Sequence, residues 1–280
     1  MSKDSYKIDM CNGPVLPKVI AFSLPLMLSS CLQLLFNAAD VIVVGRFAGN
    51  SSLAAVGSTT TIINLLTNLF IGFSIGANVN VARTLGNGDD KGTRDNVHTA
   101  VSVSLISGIA LVILGVLTAR SFLSWTGTPD DVIEKATLYL TIIFIGMPSN
   151  MAYNFGSSIL RAMGDTKRPL YFLSAAGVLN VILNLIFVIL LRMDVAGVAL
   201  ATILSETLSA VLILGCLCRS KGPCHLNLRK LYIHPVQLKR MMRIGLPAGI
   251  QAALFSFSNV LIQSSINSFG SVVMAGSSAA

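Results

Sequence analysis

Charge is scarce in this chain. Only 11% of its 280 residues are Asp, Glu, Lys or Arg, against about a quarter in soluble domains, whose surfaces must face water. With 53% hydrophobic residues, the sequence is not that of an ordinary soluble domain, and lipid is the solvent its surface suits. Histidine is also sparse. His98, His225 and His234 stand near basic loops, and no Ser/His or His-x-x-x-His arrangement falls at membrane depth. A membrane-embedded enzyme lacks its usual parts, so the chain is not expected to be an enzyme. The five cysteines make no disulfide framework. Cys216, Cys218 and Cys224 beside His225 do not have zinc-ligand spacing, so they are taken as small apolar packing residues and no metal is expected. Alternation of period two is missing, which argues against a membrane β-barrel. The first 18 residues are polar and lack a short apolar core with a cleavage site, so no removable signal peptide is expected.

Long apolar runs are what the sequence has. Seven stretches, roughly 17–45, 53–82, 97–119, 132–156, 169–191, 195–218 and 242–268, reach the ~20 residues that a helix needs to cross a bilayer core. Backbone groups in lipid must be satisfied within the segment, so these runs are expected to be helices. The fold class is therefore an all-α membrane protein, a six-helix bundle plus a seventh helix. Gly72 and Gly76 suit close packing of one helix on another, and a bend there stays open as an alternative.

The net charge of +8 does not point to nucleic acid, because the basic residues lie in short loops and not along a helix face interleaved with aromatics. They are sorted by side. With a cytosolic N-terminus, 16 of the 20 Lys and Arg fall on inner segments, and only Arg46, Arg120, Lys135 and Arg192 lie outside. Basic residues are retained on the cytosolic side, so a multi-pass protein of the cell (plasma or inner) membrane is expected. Its parts are a cytosolic segment 1–16, a six-helix bundle 17–218, a basic cytosolic loop 219–241 and the seventh helix in 242–280.

That seventh run repeats the first. Ile20–Pro25 parallels Met242–Pro247, Asn37 falls opposite Asn259, and Phe47 opposite Phe269. A six-span unit returns the chain to its starting side, so a second copy would have the same orientation, as in two-bundle transporters with a site between the bundles. The chain is accordingly expected to hold one repeat and the opening helix of another, a part of a protein about twice as long.

Of twelve acidic residues, only Asp40 and Glu206 sit well inside apolar runs. A carboxylate there costs about 2.5–3.5 kcal/mol on insertion scales and usually faces an interior cavity. Such a group suits exchange between a proton and a cation, or a structural hydrogen bond to a neighbouring helix. Asn180 and Asn184 are four apart, on one helix face, and Thr202 on the next span could join them. These neutral oxygens suit a sodium ion, a carboxylate, or simple packing. Gln33, Asn37, Asn154 and Glu206 are polar candidates for a cavity wall.

Several segments together carry a family resemblance. They are Leu24-Pro25, Asn37–Arg46 (NAADVIVVGR), Leu53–Gly57 (LAAVG), Ile159–Pro169 (ILRAMGDTKRP) and Gly197–Thr202 (GVALAT). In order and spacing they resemble the multidrug and toxic compound extrusion (MATE) transporters, through essentially the whole chain. The resemblance implies one lobe, plus one further helix, of a two-lobe antiporter that expels organic, often cationic, compounds against protons or sodium by alternating access, with no cofactor. Its partners would be small-molecule drugs, the lipid bilayer and a second lobe. It implies that Asp40 binds the coupling ion, that Asn180 and Thr202 lie near it, and that Pro25 marks where the first helix can bend. Asn184 departs from the pattern, since relatives commonly carry aspartate there, and an amide cannot take up or release a proton. Two other readings are a lipid-linked oligosaccharide flippase of the same superfamily and a non-transporting membrane fragment. The absence of Lys and Arg deep in the spans counts against the flippase.

Overall fold

The computed structural model describes residues 13–279. Lys3, Lys7, Cys11 and most of the expected cytosolic segment 1–16 lie outside the described residues. Those described form helices and no strand: α1 (Val15–Phe47), α2 (Asn50–Gly86), α3 (Asp90–Trp125), α4 (Asp130–Ile145), α5 (Met147–Ala162), α6 (Lys167–Asn184), α7 (Asp194–Arg219), α8 (Pro235–Asn267) and α9 (Ser271–Ala279). A π-helical turn, Leu185–Leu190, continues α6, and a short 3-10 turn, Leu228–Lys230, lies in the loop before α8. Six of these helices are long and apolar enough to cross a membrane, and the bent pair α4 and α5 is so when taken together. The burial pattern suits lipid. Leu34, Leu117 and Leu190 are at least 70% exposed, while Ser52, Ser58, Thr59, Ser104 and Ser107 are buried between helices. Small and polar residues inside with large apolar ones outside is how helices associate in a bilayer.

Two details differ from the sequence expectation. The fourth span is not one straight helix over 132–156; it bends by 48° between α4 and α5 and runs on to Ala162. Pro148 at the start of α5 has no N–H to donate to the Phe144 carbonyl, so the helix is interrupted there. The break is seated by its neighbours. A Cβ on Gly108 would lie 2.5 Å from the Pro148 Cα, and one on Gly146 would lie 2.5 Å from Ile203 Cγ1. The second difference concerns 219–241 and 242–280. Helix α8 starts at Pro235, inside the stretch expected to be loop, and ends before Gly270, after which α9 begins. Hydropathy alone misses the polar first turns of α8, where Gln237 and Met241 are buried against the bundle.

The parallel between the first and seventh runs extends to the structure. Helices α1 and α8 are both 33 residues long with a proline inside, Pro25 and Pro247. Each is followed by a glycine at positive φ, Gly49 at 85° and Gly270 at 89°, and then by another helix.

Glycines bring α8 onto α2. A Cβ on Gly72 would lie 2.3 Å from the Gly249 Cα, and one on Gly76 would lie 2.2 Å from the Met241 carbonyl oxygen. The backbones therefore touch, as close packing through Gly72 and Gly76 requires. Polar bonds flank this contact: Asn68 Nδ2 donates to Ser256 Oγ at 2.8 Å, and Asn267 Nδ2 to the Thr126 carbonyl at 2.8 Å. The loop before α8 is stitched to the first turns of α3. His98 stacks on Tyr232 with ring centres 5.1 Å apart, Tyr232 donates to Asp95, and the His234 N–H donates to Thr99 Oγ1 at 3.0 Å. Burial first and then Asp95 push the Tyr232 phenol up to about 12. At the other end of the bundle, Lys135 joins three helices, bonding Asp194 Oδ2 at 2.7 Å and Ser52 Oγ at 2.8 Å.

Candidate functional site

Helix α1 is held against α6 by two contacts. The Phe36 ring lies where a Cβ on Gly177 would stand, 1.9 Å from its nearest ring carbon. No other residue at 177 would let the ring approach so closely. One turn further along α1 and two turns further along α6, Asn184 Nδ2 donates to Asp40 Oδ1 at 2.5 Å. Asn184 Nδ2 also donates to Asn180 Oδ1 at 3.2 Å, and Asn180 Nδ2 reaches Thr202 Oγ1 on α7 at 3.5 Å. Asp40, Asn180, Asn184 and Thr202 thus come together from three helices. Asn184 is fully buried, and its Oδ1 has no hydrogen-bond partner. Helix α6 changes to the wider π-helical turn immediately after this residue, a departure often found where a helix carries function. Among the described residues, no Lys or Arg pairs with Asp40.

Glu206 belongs to a second polar group. It is one turn from Thr202 on α7, and its Oε1 accepts from Asn150 Nδ2 at 2.8 Å. Asn154, one turn along α5, donates Nδ2 to Asn150 Oδ1 at 2.9 Å. Next to them, Ser149 and Thr207 share a hydrogen bond of 3.0 Å. This second polar group sits at the start of α5, where the bend turns Ser149 and Asn150 toward α7. Buried Tyr139 from α4 lies within electrostatic reach of both carboxyls, and Thr202 of the first group is one turn from Glu206 on α7, so the two groups are neighbours.

Gln33 and Asn37 do not join either group. They are exposed on α1, at i and i+4 on a face that continues to Asp40. Pro25 is buried within α1, which continues through it as a helix, and its carbonyl accepts from Ser29 Oγ at 2.8 Å. A recess lined by Arg120, Glu134 and Thr137 shares no residue with these groups. Sequence reasoning missed Tyr139, Ser149 and Asn150. A signal for Asn150 was present: it is four residues before Asn154, the spacing that singled out Asn180 and Asn184. Nothing in one sequence marks Tyr139.

The turn Gly164-Asp165-Thr166-Lys167 has a positioning role. Gly164 takes φ +79° after α5, and Asp165 Oδ1 accepts from the Arg168 backbone N–H at 3.1 Å. That bond satisfies one of the donors left unpaired at a helix start, and it sets where α6, with Asn180 and Asn184, begins.

The chain is 30% identical over 277 residues to "Probable multidrug resistance protein YpnP" of Bacillus subtilis (strain 168), an alignment covering 96% of this chain and 60% of that protein. It superposes on the inward-facing conformation of a multidrug resistance MATE family transporter of the MOP superfamily with a TM-score of 0.81 and 26% identity, covering 94% of this chain and 60% of the other. An outward-facing conformation of such a transporter gives 0.80 and 28%, covering 86% and 54%. The chain thus spans about 60% of the length of the relatives it matches. The family model MatE matches residues 25–186, more than half of the sequence, and the chain belongs to the MatE family.

Proposed function

We propose that this chain forms the N-terminal lobe, and the first part of the second lobe, of an efflux transporter that exchanges organic, often cationic, compounds for protons or sodium. The single observation that carries this reading is Asp40. It is a carboxylate at membrane depth with no pairing cation among the described residues, held by an amide whose own oxygen is buried and unpartnered. Such intramembrane acids mark ion pathways. Asn184 can serve both states of Asp40. Its NH2 donates to the carboxylate, and with the amide turned over its oxygen accepts from the protonated acid. A sodium ion would find the same oxygens, with Asn180 and Thr202 beside them.

The mechanism is alternating access. Ionised Asp40 holds a cationic compound or the sodium ion, and proton or ion exchange removes that attraction and releases the compound outward. The names of the relatives as multidrug resistance proteins support the substrate class, and neighbours in inward- and outward-facing states support the alternation. The lobe lies in the cell membrane with its basic end cytosolic, and the exposed face of α1 bearing Gln33 and Asn37 looks toward the cavity between lobes. The test is ethidium efflux from cells expressing the intact reading frame, with Asp40→Asn beside wild type at matched expression. The substitution should abolish energised efflux, and a shift from a pH gradient to a sodium gradient identifies the coupling ion. Wild-type rates from Asp40→Asn would refute the role given to this acid.

A further inference from the structure

The structure holds a second intramembrane carboxylate whose purpose the Asp40 mechanism leaves open. Glu206 makes one side-chain bond, from Asn150 Nδ2 at 2.8 Å. A glutamine would accept that bond equally well through its amide oxygen, without the ~2.5–3.5 kcal/mol that a charge costs at this depth on insertion scales. A purely structural role does not explain an acid here.

Position explains it better. Thr202 and Glu206 are one turn apart on α7, and Thr202 takes the amide of Asn180 while Glu206 takes that of Asn150. Asn150 and Asn154 continue the polar line along α5 toward its basic end, where Arg161 lies. Nearby, Asn78 Nδ2 donates to the Ser158 carbonyl at 2.7 Å. A row of polar side chains therefore leads from Asp40, through Asn184, Asn180, Thr202 and Glu206, toward the end of the bundle that carries most of the basic residues. The titratable groups nearest this polar row are Asp40 from α1 and Tyr139 from α4, and α5 meets Glu206 with the Asn150 amide.

We infer that Glu206 is a proton relay between Asp40 and the basic face of the bundle, an inference that rests on the antiport reading above. In the discharge step the O–H bond of protonated Asp40 breaks, the proton crosses on water aligned by the intervening amides, which take up no proton themselves, and an O–H bond forms at the Glu206 carboxylate. The negative charge moves from Glu206 to Asp40, which is then free to hold a cation. Glu206 next loses its proton to water at the basic face. One proton is delivered and nothing is oxidised or reduced. The bend between α4 and α5 enables the transfer by aiming Asn150 at Glu206.

The experiment uses the intact transporter in proteoliposomes, with ethidium as the transported cation. Two modes are compared: transport driven by a pH gradient, and ethidium counterflow, which exchanges labelled for unlabelled compound with no net proton movement. Glu206→Gln should slow driven transport by about tenfold or more, while counterflow and ethidium binding stay within about twofold of wild type. Glu206→Asp should recover part of the driven rate. Normal driven transport by Glu206→Gln overturns the relay. So does a parallel loss of counterflow or binding, which would place Glu206 in the substrate site or the framework. If wild type responds to a sodium gradient alone, the relay fails while the role of Asp40 stands. If neither gradient drives wild type, the antiport reading itself fails and the relay with it.

Discussion

Substituting Gly72 by alanine tests the contact that joins α8 to the bundle. The added Cβ would lie 2.3 Å from both the Cα and the N of Gly249 and 2.7 Å from the Gly245 carbonyl oxygen. Carbon atoms rest at about 3.5–4.0 Å, so the two helices must separate by roughly 1–1.5 Å. All three obstructing atoms are backbone, so no side chain can swing aside. Helix association in lipid depends on close van der Waals contact and not on a hydrophobic drive, and overpacking of this kind costs about 1–3 kcal/mol. Alanine recovers at most about 1 kcal/mol of helix propensity. Gly215 on α7 is the matched control, because a Cβ there meets nothing within 4 Å. Thermal melts of the detergent-purified protein, followed by size-exclusion chromatography, should show Gly72→Ala melting lower by several degrees, given about 2–4 °C per kcal/mol for a chain of this size. Gly215→Ala should melt at or above wild type. Equal melting of the two variants would refute the backbone contact between α2 and α8.

Gly177→Ala should dislodge the Phe36 ring and loosen α1 from α6. Adding Phe36→Ala should relieve the clash, so the double variant is expected to be more stable than the sum of the single effects by about 1–2 kcal/mol in a thermal cycle; strict additivity would show that Phe36 and Gly177 do not touch. Arg192 has φ +53° in the turn before α7, a conformation that glycine adopts without strain. Arg192→Gly should therefore keep or raise the melting temperature, with a gain on the order of 1 kcal/mol from strain removed, whereas Arg192→Val should lower it; the opposite order would contradict the backbone conformation at 192.

The four residues at Asp40 were legible for a simple reason. A charged or amide side chain in an apolar run is conspicuous, and the spacing of Asn180 and Asn184 puts both on one helix face. Their partners were not legible, because a hydrogen bond between helices pairs residues with no fixed separation: Asp40 and Asn184 are 144 positions apart. Glu206 was visible as an intramembrane acid, but its placement against Asn150 depends on the bend at Gly146–Pro148, which hydropathy passes over as one continuous run. The early start of α8 was hidden for a related reason. Its first turns are polar and buried against protein, so they look like loop when burial against lipid is the only signal considered.

Composition and apolar run lengths sufficed for the class of molecule, the number of spans and the sidedness expected from its basic residues. Those properties follow from the transfer of single segments into lipid, and each segment contributes independently of the others. Which helices touch was decided only in three dimensions: Gly72 on Gly249, Phe36 over Gly177, Asp40 with Asn184, and Glu206 with Asn150. Contacts of that kind depend on shape and direction between distant parts of the chain, because lipid tails are as apolar as the helices and give no hydrophobic preference for one neighbour over another.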